Sequence, residues 1–518
     1  MARYKPYSYD QIKLIPISFR DQILPGSFEY TLSVIIDEQV DLSVFEDRYC
    51  NDVNGAPAYD PAILLKAVLY AYSRGIVSSR EIARCCRDNV IFMALSADSQ
   101  PHFTTIAGFV SRMSAEITAL FGDVLLICDE LGLIGREMFA VDGCKLPSNA
   151  SKEWSGTKEE LGRKKAKMQR AVDYLIERHR EADRHDENDN TPDPPARGRE
   201  QQQIETLRAR IAKLSAWLAE NEDKPGRSAK PKKSNLTDND SALMKTSHGT
   251  LQGYNGVAAV DAKHQVVVEA QAHGEGQEHG LLAPMIEGIR ERFHALGDWG
   301  VFGQARVTAD AGFHSEANVK YLFDERIDAY VADTRLRQRD PRFADPEGHY
   351  QQEKQHQRQR KSKPRFTPAD FVHDAANHTC YCPAGKKLYL KHRNAKIGAH
   401  VATCYQGAKR DCAPCVLRAR CLKSPTQKTT RQVYFFRSRA DAPTPNYSER
   451  MRQKIDSDTG RAIYSGRLGT VEPVFGNLRA TLRLDRFTLR GKKKVDTQWK
   501  LYCLVHNLLK IHQFGYEQ

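Results

Sequence analysis

Two aspartates stand where apolar, strand-like runs give out. Asp142 follows Phe139 to Val141 in "EMFAVDGCKL", and Asp310 follows the run that opens "VTADAGFHS". If the two strands are neighbours, both carboxylates converge over one edge of a sheet. Converging carboxylates at neutral pH repel unless one is protonated or a cation lies between them. Magnesium suits such a place, because it binds through a few carboxylates, waters and substrate phosphates. Glu472, in "YSGRLGTVEPVFGNLRATLRLDRFTLRGKKK", offers a third carboxylate just ahead of an expected helix. Along that helix Arg479, Arg483, Arg486 and Arg490 fall at steps of four, three and four, and Glu472 precedes Arg479 by seven. Acid and arginines would then share one face. A basic stripe behind one acid fits a nucleic-acid strand lying over a metal site. Other acids have plainer uses: Asp261 sits in a hairpin turn, where Asp is a good turn residue, and Asp333 reads as a cap.

A second cluster is made of thiols. Six of the twelve cysteines lie between Cys380 and Cys421. The N-terminus lacks the order of a secretory signal, so local clustering favours a metal site over a disulfide framework. Cys412 and Cys415 form a two-residue knuckle in "CAPC", with Cys421 beyond and Cys382 upstream. Four such thiolates make a closed, structural zinc site; Cys380, Cys404 and His378 are substitutes for any one of them. The plainer reading is reduced, partly buried cysteines. Lys and Arg total 78 against 65 Asp and Glu, a formal charge of +13, which favours a polyanionic partner. The run "EKQHQRQRKSKPR", with Lys361 and Lys363, is too dense in charge to be buried and reads as a phosphate-contacting loop. No stretch approaches the roughly 20 apolar residues that cross a bilayer, so a soluble, cytoplasmic protein is expected.

The elements that must position these groups divide the chain. To about Gly135 it reads as helical. Asp60-Pro61 starts a helix that carries Leu64, Leu65, Val68, Leu69 and Tyr72 inward and stops at Gly75. Ser78 with Glu81 forms a capping box for the next, which carries Ile82 and Cys85 inward; a third begins near Thr104. Short helices with tight turns fit a helix-turn-helix reader and a plain bundle equally. Strands follow in "EMFAVDGCKL", "YNGVAAVD" and "QVVVEAQ", the last two as an antiparallel hairpin. Then come an amphipathic helix from about Glu278 to Phe293, the strand ending at Asp310, a helix around Ala317 to Phe323 and the strand "DAYVAD". That order is an α/β fold with a mixed sheet. Two stretches interrupt it. In the first, Ile204, Leu207, Ile211, Leu214 and Leu218 step by three and four as a coiled-coil seam, with Met168, Val172 and Leu175 as its partner stripe: a packing or dimerisation arm. The second runs from about Arg335 to Asp458 and holds the basic run and the cysteines. In the last helix Trp499, Tyr502, Val505 and Leu509 read as core.

Taken together, "FAVDGCKLPSNAS", "VTADAGFHS" and "YSGRLGTVEPVFGNLR" resemble the three acidic segments of bacterial insertion-sequence DDE transposases. "PAYDPAILLKAVLYAYSRGIVSSREIARCCRDNVIFMALS" is similar to the helical domain that often precedes that core. The resemblance implies an RNase H-like core over 136–334 and 459–518, split by a helical hairpin at 158–225 and a basic, Cys-rich insertion at 335–458, after a DNA-binding domain at 1–135. It implies that Asp142, Asp310 and Glu472 hold two Mg2+ (or Mn2+) ions roughly 4 Å apart, Asp142 bridging both. Water would attack first to release 3′-hydroxyls at the element's ends, and these would then attack target DNA. Tyr464, Arg467, Glu472 and Arg479 match the family's Tyr, Arg, Glu, Lys signature with spacers of two, four and six, where the usual spacers are two, three and six. Arg in place of Lys keeps a phosphate contact and changes its geometry. The implied partners are the terminal inverted repeats, target DNA and a second copy of the chain or more. A nuclease of the same fold without strand transfer, and a DNA-binding relative without activity, are the alternatives.

Overall fold

The structure is a computed structural model that describes residues 18–49, 57–186, 194–226, 231–246, 249–340, 365–397, 400–422, 429–436 and 447–515. Lys361 and Lys363 lie outside the described residues. Contacts divide the chain into two compact units, Met1–Thr334 with Tyr447–Gln518, and Arg335–Asn446.

The first unit is an α/β structure built on a six-stranded mixed sheet. Its strands are β1 (Met138–Pro147), β2 (Ala242–Thr246), β3 (Gly249–Asp261), β4 (Val267–His273), β5 (Arg306–Ala309) and β6 (Ala329–Val331). The order is β2-β3-β1-β5-β6, with β4 also on β3. β3 runs antiparallel to β1, β2 and β4, whereas β1, β5 and β6 are mutually parallel. Phe139, Ala140 and Val141 are all fully buried, as is expected of a central strand covered on both faces. The β3–β4 hairpin is as the sequence predicts. Two features differ. β1 does not end at Asp142: its pairing with β5 stops at Val141, but its pairing with β3 continues to Pro147. β2 is absent from the strands expected above, because a short edge strand with one buried apolar residue, Met244, carries little pattern.

Helices close over the sheet. In the N-terminal segment α1 (Pro61–Ser73) starts as expected, with Asp60 accepting from the Ala62 amide at 2.8 Å, and Gly75 follows it at φ +72°. α2 (Ser79–Asp88) departs from expectation at its start, where Ser78 makes no side-chain cap bond and Glu81 pairs with Arg84 at 2.5 Å. Its inward cysteine is Cys86 rather than Cys85, since Cys86 lies four residues from buried Ile82. α3 (Phe103–Arg112) and α4 (Ser114–Glu130) complete this layer. α5 (Lys158–Asp186) and α6 (Pro194–Glu220) form an antiparallel pair: Leu161 meets Leu214 and Trp217, while Val172 and Leu175 meet Ile204. α7 (Leu282–Ala295) packs on β3 and β4. α8 (Glu316–Asp324) and α9 (Tyr447–Asp456) pack together, and α9 also lies on β6. The helix α9 therefore belongs with the sheet, although its sequence reads as part of the insertion. α10 (Asp458–Gly476) lies over β1, β3, β5 and β6. α11 (Lys492–Phe514) joins the layers, packing on β4 and on α1, α3 and α4. Trp499 sits over Gly256 and donates from Nε1 to the Val257 carbonyl at 2.9 Å. Among the described residues no helix is long and apolar enough to cross a membrane.

His506 of α11 is buried between the Gln265 carbonyl and Asn477, each at 2.9 Å. Burial pushes its pKa down from 6.5 to about 4. The unfolded chain then takes up this proton near pH 6.5 and the folded one only near pH 4, so stability falls as pH falls through that window. Wild type is expected to lose about 2 kcal/mol between pH 7 and pH 5 from this group. Urea unfolding of wild type and His506→Gln at both pH values checks it; equal pH sensitivity would refute it.

The second unit carries a five-stranded antiparallel sheet, β7 (Val372–Asp374), β8 (Thr379–Tyr381), β9 (Lys387–Ile397), β10 (His400–Gln406) and β11 (Gln432–Phe436), ordered β11-β10-β9-β8-β7. Phe371, Cys380, Leu388, Tyr405 and Val433 are its core.

Candidate active site

The parallel pairing of β1 with β5 sets Val141 opposite Ala309, so the next residues, Asp142 and Asp310, emerge side by side. Asp142 Oδ1 accepts from the Gly143 amide at 2.8 Å, and Asp310 Oδ1 accepts from the Gly312 amide at 2.8 Å. These bonds fix both carboxylates, Asp142 within β1 just past the end of its pairing with β5 and Asp310 just beyond β5. Burial pushes the Asp142 carboxyl up, Arg467 pulls it down, and the charge of Asp310 pushes it up again. The two acids therefore sense each other, as convergence requires.

Arg467 reaches down from α10. Its side chain donates from Nη1 to Asp142 Oδ2 at 2.8 Å, and the residue is only 7% exposed. Burial opposes its charge, but Asp142, Tyr464 and Asp310 hold its pKa above the ordinary value. Its Nε has no hydrogen-bond partner. Tyr464, one turn earlier, places its ring 5.7 Å from the guanidinium, and burial pushes its phenol up. Arg479, in the π-helical turn Asn477–Thr481, lies beside Cys144 of β1, where it opposes the upward push of burial on that thiol.

Not every expected residue joins this group. Arg467, Thr470, Val471 and Val474 of α10 are buried, and Glu472 is on the exposed side of the same helix. Glu472 lies within α10 and not ahead of a helix, and the expected arginine helix is absent. Beyond the π turn the chain threads buried Leu482, Leu484 and Phe487 inward, leaving Arg483, Arg486 and Arg490 exposed on an irregular segment. Arg483 adopts φ +56°, packed against Gly75. Arg486 and Arg490 bond the chain just after β1, at the Ser148 carbonyl (3.2 Å) and the Asn149 carbonyl (2.7 Å). Asp261 is committed to structure, accepting from the amides of Gly135, Arg136 and Lys263. Asp333 pairs with Arg452 at 3.4 Å.

One acid at the site was not singled out from the sequence. Glu278, in the 3-10 turn Glu278–Gly280 before α7, accepts from Asn255 Nδ2 at 3.1 Å and faces Lys145 Nζ at 3.6 Å. Burial pushes its carboxyl up, Lys145 pulls it down, and Asp310, then Asp142, push it up. Among the described residues no three His, Cys, Asp or Glu side chains stand close enough to hold one metal ion directly.

Cys382, Cys412, Cys415 and Cys421 all line one cavity of the second unit, about 350 Å³ in volume. Cys380 and Cys404 do not; both are fully buried.

Family models match three stretches of the chain: a transposase domain (DUF772) over residues 17–112, a transposase DDE domain over 231–382, and a second transposase DDE domain model over 381–512. All three describe transposases, so the protein is a transposition enzyme. The chain belongs to the DDE transposases of the insertion-sequence type. Asp310 and Glu278 fall in the first DDE match and Arg467 and Glu472 in the second; Asp142 falls in none. No curated protein matches the chain.

Proposed function

We propose that the protein cuts DNA at the ends of its element and joins the released 3′-hydroxyls to target DNA, on an RNase H-like core interrupted by the α5–α6 hairpin and the cysteine-bearing unit. The observation that carries this reading is the placement of Asp142 beside Asp310 on parallel strands under Arg467. Two neighbouring carboxylates, of which Asp310 makes the ionisation of Asp142 costlier, fit a divalent cation, Mg2+ or Mn2+. Bound there, the ion would activate the attacking oxygen and stabilise the leaving one. Asp142 and Asp310 hold it, with Glu472 as the family's third acid. Arg467 orients Asp142 and, by the family resemblance, also grips a backbone phosphate. Tyr464, Arg479, Arg483, Arg486, Arg490, Lys361 and Lys363 contact phosphates, which position DNA without specifying sequence. Two or more copies would act on paired ends, in the cytoplasm and on the nucleoid.

Purified protein, Mg2+, a duplex carrying the terminal repeats and a supercoiled target test this. Joined product is expected. Cleavage without joining would make it a nuclease, and binding without cleavage would overturn both.

In this reading structural zinc would draw together Cys382, Cys412, Cys415 and Cys421, which line one cavity without forming a closed ligand set. The small core of the second unit leaves a metal to supply folding energy. About one zinc per chain is expected, with a lower melting temperature after chelation. Metal analysis finding none, with Cys412 and Cys415 freely alkylated, would end it.

A further inference from the structure

One other side chain crowds both Gly143, next to Asp142, and Gly312, two residues after Asp310. A Cβ on Gly312 would lie 1.9 Å from Glu278 Oε2 and 3.0 Å from Asp310 Oδ1. A Cβ on Gly143 would lie 3.2 Å from Glu278 Oε1 and 2.9 Å from Asn255 Oδ1. Glu278 thus spans the strand residue beside Asp142 and the turn after Asp310, with one carboxylate oxygen over each glycine. Its Oε2 and Asp310 Oδ1 are at most about 5 Å apart.

A second observation points to a ligand. Asn255 is fully buried, its Nδ2 is spent on Glu278, and its Oδ1 has no hydrogen-bond partner. That orphan oxygen faces Gly143, the neighbour of Asp142. A buried carbonyl without a donor is rare and asks for one.

Mg2+ keeps several waters when it binds to protein carboxylates. Those waters are donors that need acceptors one shell out. A carboxylate within about 5 Å of Asp310, in a set of acids that does not close on one ion directly, is well placed to receive its waters. We infer that Glu278 and Asn255 Oδ1 form the outer acceptor set of the divalent-cation site, taking hydrogen bonds from the waters of an ion held at Asp142 and Asp310. This rests on the proposed reading that those aspartates bind the ion. Lys145 supports that role, since its ammonium stands 3.6 Å from Glu278 Oε1 and balances the carboxylate's charge. Glu278 is a positioning residue: it acts on the ion's water and leaves the scissile phosphate to others.

Isothermal titration of Mn2+ into the full-length protein tests the inference apart from activity. Outer-shell partners are commonly worth ten- to a hundredfold in metal affinity. Glu278→Gln is expected to weaken Mn2+ binding about tenfold or more, with an unchanged melting temperature in the absence of metal. Glu278→Asp, which keeps the charge and withdraws it by one methylene, should fall between the two and serves if the glutamine variant does not fold. Asp142→Asn is the control. If Asp142→Asn weakens Mn2+ binding and both Glu278 variants bind as wild type, the inference is overturned and the aspartate site stands. If Asp142→Asn leaves binding unchanged, the aspartate site itself fails, whatever Glu278 does.

Discussion

Asp142→Asn is expected to abolish DNA cleavage, by at least about a thousandfold, in a protein that still folds. Three consequences of the geometry combine. The amide carries no charge, so a cation at the sheet edge is left with Asp310 as its only adjacent anion on these strands. The amide also presents a donor where Asp142 Oδ2 now accepts from Arg467. Arg467, buried and strongly biased to stay charged, loses its main counter-ion. Breaking a buried pair by removing one partner costs about 3–5 kcal/mol, and the partial opening of Asp142 to water puts this site at the lower end, about 3 kcal/mol. End-cleavage rates measured beside urea unfolding separate the two effects. A variant that cleaves at the wild-type rate would remove Asp142 from the catalytic set. That result matters because no family model spans this residue, so its proposed role rests on the resemblance of its segment and on its position beside Asp310.

The legibility of that geometry in the sequence was uneven, for physical reasons. Asp142 and Asp310 were readable because continuous burial of Phe139 to Val141 and of Val307 to Ala309 leaves a continuous apolar run, which marks a central strand. Their adjacency was not readable, since parallel pairing joins strands far apart in the chain. Glu278 was hidden for a related reason. In sequence it is an acid before an amphipathic helix, and only the return of that turn over β1 and β3 gives it a site. Its one trace is Gly143 and Gly312, each of which reads locally as an ordinary turn glycine. The arginine stripe misled in the opposite direction. Arg479, Arg483, Arg486 and Arg490 do fall at helical steps, but Leu482, Leu484 and Phe487 between them must all be buried. An α-helix places residues 482 and 484 some 200° apart, so one helix cannot bury both against one surface. The apolar positions decide the backbone, and the charges follow.

The same pairing predicts how Arg467→Ala fails. At neutral pH the variant is expected to cleave at least about a hundredfold more slowly, with part of the loss recovered as pH rises. In wild type, burial and Asp310 push the Asp142 carboxyl up, and Arg467 is what pulls it down. Without Arg467 the two upward pushes are opposed only by the Gly143 amide, so Asp142 keeps its proton to a higher pH. Only the ionised carboxylate holds a cation well, and the acid limb of the rate profile therefore moves to higher pH. Arg467→Lys separates this role from DNA contact. Lysine keeps a positive charge beside Asp142 but lacks the planar guanidinium fork, so it should hold the acid limb near its wild-type position while weakening the grip on the phosphate. A pH-independent loss in Arg467→Ala would assign the residue to DNA binding alone. Combining Arg467→Ala with Asp142→Asn supplies the remaining arm of the cycle. If the arginine acts through the aspartate, the double variant should be little slower than Asp142→Asn, because residues that work as a unit are not additive.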